Sequence, residues 1–268
     1  MKSRLMTLFA GTVVFFSFIQ EATAQWVETS GPHGGKVWAL AISGPYLFAG
    51  TENGGVYVTK DNGDSWSMAS VGLPRGEAVN CLIISGTNLF AGTPKGLFMS
   101  VDNGASWQPR NSGLPENLFV RCLAVMGTRL FAGGGKAGLF SSADNGITWE
   151  LRNRGLPRDN DIWCFAVSSS NLFVGTIHLV PGVLSRPTTI FLTRDDGASW
   201  EKASLGFPSE ALLDCLAASG PNIFAGTFLR GVLRYTDRSK KWSPANSGIP
   251  ETAIFCFAAN STDLFAGW

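Results

Sequence analysis

The sequence predicts an all-β fold, a β-propeller of four-stranded blades with about 42 residues per blade. Two observations lead to this prediction. A phrase of apolar and small residues occurs six times, and a turn phrase that ends in tryptophan occurs five times. The composition agrees, since 32 of the 268 residues are glycine and 9 are tryptophan, a mixture that favours turns and strands over helices.

The two phrases alternate along the chain. Leu-Phe-Ala-Gly occurs at 47–50, 89–92, 130–133 and 264–267, with the variants LFVG at 172–175 and IFAG at 223–226. The turn phrase follows the first five copies as TKDNGDSW (59–66), SVDNGASW (100–107), SADNGITW (142–149), TRDDGASW (193–200) and a degraded YTDRSKKW (235–242). Its aspartates are separated by 41, 42, 51 and 42 positions, so the fourth unit carries an insertion of about nine residues.

Each unit contains four short apolar runs separated by turn residues, which the second unit shows at 79–85, 88–93, 96–101 and 106–109. Four strands in 40 to 45 residues are typical of a propeller blade. We therefore expect five complete blades and a partial sixth, truncated from six or seven. Residues 25–28 are interpreted as a fourth strand that completes the last blade; the alternative is a six-bladed ring with a three-stranded closing blade.

The first 24 residues have the pattern of a cleaved signal peptide. A basic start is followed by an apolar run at 5–19 and by the small residues Ala22, Thr23 and Ala24. The run is shorter than the roughly 20 residues of a membrane span. We expect the propeller to occupy residues 25–268, to have no membrane span after cleavage, and to be secreted or periplasmic.

Charge and motifs exclude several classes of function. There are 21 basic and 20 acidic residues, so the net charge of +1 provides no strong field for nucleic acid. The sequence lacks a recognisable phosphate-binding loop, metal motif, serine nucleophile elbow or Cys-His pair. No cofactor is predicted.

The turn phrase, Ser/Thr-x-Asp-x-Gly-x-Ser/Thr-Trp, resembles the Asp-box, or BNR repeat. This repeat occurs in bacterial sialidases, tandem-propeller xyloglucanases, sortilin-like receptors and photosystem II assembly factors. Four copies match at every defined position, whereas the fifth has Tyr235 and Ser239. The resemblance implies a propeller of the kind found in exported bacterial proteins. It leaves the function open, because enzymes, receptors and assembly factors share the repeat.

We expect the Asp-box to form the hairpin between the third and fourth strands. Its aspartate accepts hydrogen bonds from turn N–H groups, its glycine adopts positive φ, and its tryptophan packs on the neighbouring sheet. A calcium site is disfavoured, because the rest of an EF-hand loop is missing. The predicted structural residues are Asp61, Gly63, Trp66, Asp102, Gly104, Trp107, Asp144, Gly146, Trp149, Asp195, Gly197, Trp200, Asp237 and Trp242.

Five cysteines occupy the third position of the first strand in successive units: Cys81, Cys122, Cys164, Cys215 and Cys256. Equivalent positions on neighbouring blades are about 10 Å apart, beyond the roughly 7 Å Cα separation that a disulfide allows. We predict buried free thiols that fill a space between blades. A soft-metal site is the disfavoured alternative, because the ligands diverge.

Candidate ligand-binding residues lie on one face of the predicted propeller. This inter-blade-loop face carries the loops that join blades and those that join second to third strands; the Asp-box turns lie on the other. The residue before each cysteine position varies between aromatic and polar types, which suits a protein or glycan ligand at a channel mouth. The candidates, including two from the insertion and one from an inter-blade loop, are Trp38, Asn80, Arg121, Asp161, Trp163, His178, Arg186, Asp214 and Phe255.

Two functions follow from these patterns. The preferred one is a secreted, non-catalytic binding or scaffolding module with no catalytic residue. The alternative is a glycoside hydrolase, either sialidase-like or using Asp161 and Asp214 as a carboxylate pair about 5 to 9.5 Å apart. A sialidase-like site needs a tyrosine nucleophile at the channel mouth. Tyr46 falls in a turn, and Tyr57 and Tyr235 fall on third strands.

Overall fold

The computed structural model describes residues 29–158, 161–169, 171–178, 187–249, 253–259 and 263–267. Within these ranges the chain forms 22 strands in six sheets, five of four strands and one of two. The predicted all-β propeller architecture is therefore confirmed. The predicted signal peptide and the strand expected at 25–28 lie outside the described residues.

The strands follow one another along the chain, and each complete blade takes four in succession. They are β1 Val37–Ser43, β2 Tyr46–Thr51, β3 Val56–Thr59 and β4 Ser67–Met68; β5 Cys81–Ser85, β6 Asn88–Thr93, β7 Gly96–Ser100 and β8 Gln108–Pro109; β9 Cys122–Met126, β10 Arg129–Gly133, β11 Leu139–Ser142 and β12 Glu150–Leu151; β13 Asp161–Ser168, β14 Asn171–Ile177, β15 Thr188–Thr193 and β16 Glu201–Lys202; β17 Leu213–Ser219, β18 Asn222–Thr227, β19 Gly231–Thr236 and β20 Lys241–Pro244; β21 Cys256–Ala259 and β22 Leu264–Gly267.

Each blade is an antiparallel meander, and the first strands of successive blades contact one another. These first strands therefore surround the axis, and the short fourth strands lie outermost. The predicted first strand at 79–85 begins only at Cys81, because the Val79 N–H donates to the Thr51 carbonyl of the preceding blade. The outer strand predicted at 106–109 is shortened for the same reason, since the Trp107 N–H donates to the Val71 carbonyl.

The core lies between blades and not within them. Each hydrophobic cluster combines side chains from two adjacent sheets, as where Phe48 and Val56 of the first blade pack with Leu89 and Trp107 of the second. The recurring Leu-Phe-Ala-Gly phrase supplies a phenylalanine to each such interface. Four of these rings are at most 1 % exposed: Phe48, Phe90, Phe131 and Phe173. Each full burial stabilises the fold by roughly 1.5–3 kcal/mol.

The second Asp-box shows how the turn is closed. The Asp102 carboxylate accepts hydrogen bonds from the Ser100 hydroxyl (2.7 Å), the Ser106 N–H (2.9 Å) and the Ser106 hydroxyl (2.5 Å). Gly104 has φ of +84°, and a Cβ there would lie 3.3 Å from Phe48 of the preceding blade. The turn therefore needs glycine both for its backbone conformation and for its contact with the neighbouring sheet.

The Asp-box tryptophans join each blade to the one before it. Their Nε1–H groups donate to carbonyls near the outer strand of the preceding sheet, at Ala69 (2.8 Å), Arg110 (2.9 Å), Arg152 (2.8 Å) and Ala203 (2.7 Å). The donors are, in order, Trp107, Trp149, Trp200 and Trp242. The Trp66 Nε1 of the first blade is buried and has no acceptor among the described residues.

The fifth, degraded box differs from the other four. Its hydroxyl contact joins Thr236 to Ser239 (2.8 Å), and the Lys240 N–H donates to the Thr236 carbonyl. The Asp237 carboxylate instead accepts hydrogen bonds from Asn171 (3.0 Å) and Arg194 (3.4 Å) of the preceding blade. The structural role predicted for Asp237 in its own turn therefore needs correction. With Ser239 and Lys241 in place of the usual glycine and Ser/Thr, the turn lacks the groups that engage the aspartate.

The first and sixth sheets each expose apolar side chains within the described part of the chain. Leu40 and Ile42 of β1 are 61 % and 72 % exposed, and Phe265 of β22 is 60 % exposed. Among the residues that the structure describes, the sixth sheet contains β21 and β22 only. The predicted insertion lies between β14 and β15, and most of it falls outside the described residues. Among the residues that are described, no helix has the length and apolar character needed to cross a membrane.

We predict that Trp107→Phe lowers the free energy of unfolding by about 1–3 kcal/mol, because the buried Ala69 carbonyl loses its donor. Chemical denaturation measures the change. Trp66→Phe is the matched control. It removes the same indole, whose Nε1 has no acceptor in the described ranges, and should cost less. Equal losses for the two variants would contradict the role assigned to the hydrogen bond.

We predict that acid destabilises the propeller through its Asp-boxes. Hydrogen bonds from Ser106, Thr148 and Ser199 lower the pKa of Asp102, Asp144 and Asp195 from 3.8 to about 2. A lowered folded-state pKa gives stability that is complete above the unfolded value and is lost as the pH falls from about 4 to about 2.

The free energy of unfolding should therefore fall towards the acid end of a series measured between about pH 6 and about pH 2. This range roughly brackets the pKa values of the aspartates in the folded and unfolded states. The triple variant Asp102→Asn, Asp144→Asn, Asp195→Asn should show a weaker dependence on pH. A wild-type profile that stays flat through this range would overturn the prediction.

Candidate functional site

The two ends of the propeller have different chemistry. The Asp-box face carries the Asp-box hairpins and the turns between first and second strands. A cavity of about 370 Å³ on this face is lined by Gly127, Arg129, Ser169 and Asp196, among others. The inter-blade-loop face carries the second-to-third-strand loops and the connections between blades, and has a cavity of about 240 Å³. The sequence candidates that the structure describes lie at the inter-blade-loop end.

The residue before each cysteine, or before Ala39 at the same position of the first blade, is placed at the mouth end of its first strand. In the first, fourth and fifth blades it lies at a β-bulge, where the register shifts around Trp38, Trp163 and Asp214. In the other three blades it precedes the strand, and its N–H donates to a glycine carbonyl of the second strand at 2.9 Å; these residues are Asn80, Arg121 and Phe255. Bulges redirect side chains away from the sheet. This position is therefore released from regular packing between blades.

Several of these side chains reach across to the following blade. The Asn80 amide donates to the Val120 carbonyl (2.9 Å). The Arg121 guanidinium lies over the Trp163 ring, with its Cζ 3.8 Å from the ring centroid. The Trp163 Nε1 donates to the Asp214 carbonyl (3.2 Å). A continuous series of contacts thus links four blades around the channel mouth.

Arg121 lies close to two aromatic side chains. Its Cζ is 3.8 Å from the Trp163 ring centroid and 5.4 Å from that of Phe119. Arginine stacks on aromatic faces, and each such contact is worth roughly 0.5–2 kcal/mol. A half-buried positive charge is therefore held in a defined orientation at the channel mouth.

Trp38 and Phe255 are the most exposed members of the series, at 53 % and 57 %. The Lys36 ammonium lies 5.8 Å from the Trp38 ring centroid, and the ring of Phe255 lies 6.4 Å from that of Phe228. Both aromatic side chains present surface that a ligand could cover.

The remaining sequence candidates are more scattered. Asp161 is only 9 % exposed, at the start of β13 opposite Ile177. His178 is exposed just after β14, and its backbone N–H donates to the Pro187 carbonyl (3.0 Å). Arg186 lies outside the described residues. The contacts therefore connect Asn80, Arg121, Trp163 and the backbone of Asp214, and the carboxylate pair of Asp161 and Asp214 stays a prediction.

The five cysteines are free, as expected. The expectation that they are buried needs correction for Cys256, which is exposed; the other four residues are partly exposed, but their thiol groups are buried. They lie on first strands, which surround the axis. The Cys122 Sγ lies 3.6 Å from the Gly133 carbonyl oxygen, and a Cβ on Gly92 would lie 2.4 Å from the Cys81 Sγ. The thiols therefore occupy space above the glycine of the second strand.

The environment of the four thiols other than Cys256 keeps them protonated. Burial raises the pKa of Cys81 and of Cys215 to about 12. Burial also raises the pKa of Cys122 and Cys164 well above the ordinary value, and the Arg121 charge opposes this only weakly. Thiolate is the species that binds soft metals. Within the described ranges, no group of three or more His, Cys, Asp or Glu side chains could hold a metal ion.

One feature of this face escaped the sequence reasoning. The loop between β10 and β11 forms a short 3-10 turn at Gly135–Ala137, and with β13 and β14 it borders the 240 Å³ cavity. Lys136, Asn153 and Thr176 line this cavity. A comparison of the repeats could have indicated this different loop, because the third unit has one more residue here than the second. The third unit reads Gly-Gly-Gly-Lys-Ala-Gly, and the second reads Gly-Thr-Pro-Lys-Gly.

Comparison with known proteins supports the fold. A family model described as the DUF6242 β-propeller domain matches residues 33–180. Among solved structures, the extracellular domain of a one-component system from B. thetaiotaomicron is 16 % identical with a TM-score of 0.70, and the match covers 91 % of this chain and 33 % of that one. The structure of YCF48 bound to D1 peptide is 13 % identical with a TM-score of 0.65, covering 88 % and 75 %.

A third similar structure is the GH74 xyloglucanase from Xanthomonas campestris, 18 % identical with a TM-score of 0.60, covering 78 % of this chain and 38 % of the enzyme. At these identities the structural likeness shows the fold alone. The chain spans about a third of the length of the B. thetaiotaomicron protein. No curated protein matches the sequence.

We predict that one thiol reacts rapidly with Ellman's reagent in the native protein, because only Cys256 is exposed. The other four should react at the rate of unfolding, since burial keeps them protonated and shielded. Cys256→Ser should abolish the fast phase, and all five thiols should react in denaturant. Two or more fast thiols in the native wild-type protein would contradict the prediction.

Proposed function

This chain belongs to the DUF6242 β-propeller domain family, and we propose that it is an exported, non-catalytic propeller that binds a protein or glycan ligand on its inter-blade-loop face. A propeller fold leaves the activity open, so the proposal depends on the site. The observation that carries it is the stack of Arg121 on Trp163 at the channel mouth, within side chains contributed by successive blades.

These residue types suit recognition. Tryptophan and arginine are the side chains that most often dominate binding energy when they lie at the centre of an interface. Trp163 and Arg121 are half-buried and oriented by their mutual contact, so little entropy is lost when a ligand covers them. The more exposed rings of Trp38 and Phe255 extend this surface at either end of the series.

The similar structures are consistent with a binding module. One is an extracellular domain, and YCF48 was solved with a peptide bound. Export is supported by the extracellular location of the B. thetaiotaomicron domain and by the signal-like segment at 1–24.

A glycoside hydrolase is the second candidate, and its support is the likeness to GH74 enzymes. The tyrosines argue against a sialidase-like reaction. Tyr57 and Tyr235 are 8 % and 3 % exposed on third strands, and Tyr46 begins β2. A two-carboxylate reaction would use Asp161 and Asp214, of which Asp161 is largely buried. The binding function is therefore preferred.

We predict that Trp163→Ala and Arg121→Ala each weaken binding at least tenfold, about 1.4 kcal/mol, because they remove the centre of the contact surface. Glycan and peptide arrays identify a ligand for the wild-type protein, and calorimetry then measures its affinity for each variant. Arg238→Ala removes the same charge from the Asp-box face and should bind as the wild type does. Thermal unfolding verifies that each variant is folded.

The same protein preparation should release no reducing sugar from xyloglucan and no sialic acid from model glycosides. Hydrolysis that is lost in Asp161→Asn or Asp214→Asn would establish the second candidate instead. Binding that survives both mouth substitutions would overturn the location proposed for the site.

A further inference from the structure

The 240 Å³ cavity on the inter-blade-loop face lies between the third and fourth blades. Lys136 of the β10–β11 loop and Arg158 of the connection between these blades line it, together with Asn153, Leu156, Ile162 and Thr176. The cavity borders the channel mouth, because Ile162 in its wall immediately precedes Trp163. Ile162 also packs closely against Gly133 of the third blade, where an added Cβ would touch it.

Other blades neutralise the cation that corresponds to Lys136. Lys95 precedes the glycine that starts β7 and pairs with Glu77 at 2.7 Å. Arg230 precedes the glycine that starts β19 and pairs with Glu210 at 2.6 Å. Each acid lies four or five positions before the cysteine of the same blade. In the second and fifth blades, the cation of this loop therefore forms an ion pair with an acid from the connection that precedes the blade.

The third blade has no acid at these positions; its nearest acid, Glu116, lies six positions before Cys122 and forms no ion pair within the described part of the chain. The positions four and five before Cys122 are occupied by Leu118, which is 4 % exposed, and by Asn117. Neither Lys136 nor Arg158 forms an ion pair with any described carboxylate, and no described residue that lines the cavity is acidic. Two positive charges therefore share one concave surface, where their potentials add and attract an anion.

The rest of the lining combines a hydrogen-bond donor with an apolar wall. The Asn153 Oδ1 accepts the Leu139 N–H (2.9 Å), which fixes the amide, and its Nδ2 has no acceptor among the described residues. The Thr176 hydroxyl donates to the Thr189 carbonyl (3.1 Å), which holds this side chain in place at the cavity wall. Leu156 and Ile162 supply apolar surface. Such a lining can bind a group that has hydroxyls, a hydrophobic face and a negative charge.

The volume distinguishes between possible anions. The volume of about 240 Å³ is many times the roughly 10–15 Å³ that a single water needs. This exceeds what the carboxylate side chain of a peptide needs, and it is smaller than the pockets of about 300–1,000 Å³ that enclose a complete small ligand. One sugar unit of a longer chain fits both limits.

We propose that this cavity is a subsite for one acidic sugar residue, uronate or sulfated, of a glycan that lies on the inter-blade-loop face. Lys136 and Arg158 pair with its anionic group, and the Asn153 amide donates to it. The inference rests on the proposed function, because the neighbouring part of the glycan occupies the channel mouth at Arg121 and Trp163.

Calorimetry with four probes of matched length tests the proposal: oligogalacturonate, a sulfated galactan oligosaccharide, a neutral galactan oligosaccharide and oligoglutamate. We expect the uronate or the sulfated oligomer to bind at least tenfold more tightly than the neutral one. The double variant Lys136→Gln, Arg158→Gln should abolish this preference and leave the affinity for the neutral oligomer unchanged. Lys60→Gln, Arg238→Gln removes equal charge from the Asp-box face and should behave as the wild type does.

Equal binding of the acidic and neutral oligosaccharides would overturn the subsite and leave the proposed function intact. The same conclusion follows if the double variant retains the preference. Oligoglutamate that binds as tightly as oligogalacturonate would overturn the sugar specificity. Binding of none of the four probes would overturn the subsite, and the Arg121 and Trp163 variants would then decide separately whether the face binds a ligand.

Discussion

The hydrogen bond from an Asp-box indole to the preceding blade is the interaction on which the rest of the structure depends. A single four-stranded sheet cannot bury both of its faces, so every blade relies on its neighbours for a core. The Nε1–H donated to a carbonyl near the outer strand fixes how far one sheet is rotated against the next. The phenylalanines of the Leu-Phe-Ala-Gly phrase then fill the interface that this rotation creates. Hydrogen bond and hydrophobic contact therefore specify the same geometry, and the propeller follows from repeating it.

The repeat made the fold predictable, and the limits of that prediction have physical causes. Strand β6 begins and ends where the sequence indicates, because both of its neighbours are in its own sheet. The first and fourth strands are shorter than expected, since Val79 and Trp107 bond across to the adjacent blade. Asp237 could not be placed correctly from its alignment. Its partners Asn171 and Arg194 are distant in sequence, and only the folded chain brings them together.

The candidate site was predicted only in outline. Variation at the position before each cysteine led to candidates that the structure places at the start of the first strands, but the contact of Arg121 with Trp163 depends on a β-bulge that no local pattern reveals. The cavity at Lys136 was missed for a different reason. Its character depends on a pairing acid that other blades possess and this one lacks, and such a difference becomes visible only when equivalent pairs can be compared in space. The proposed site thus lies where the blades differ, whereas the fold depends on the residues that they share.

The opposite placement of Asp-boxes and loops has a consequence for how such a protein can change. The Asp-box groups that join each blade to its neighbour are gathered at one end of each sheet, and the side chains of the proposed binding site lie at the other. Substitutions at sites this far apart have nearly additive effects on free energy. New specificities could therefore accumulate at the loop end without loss of the folded state, which makes the scaffold tolerant of evolutionary change and a suitable starting point for engineered recognition.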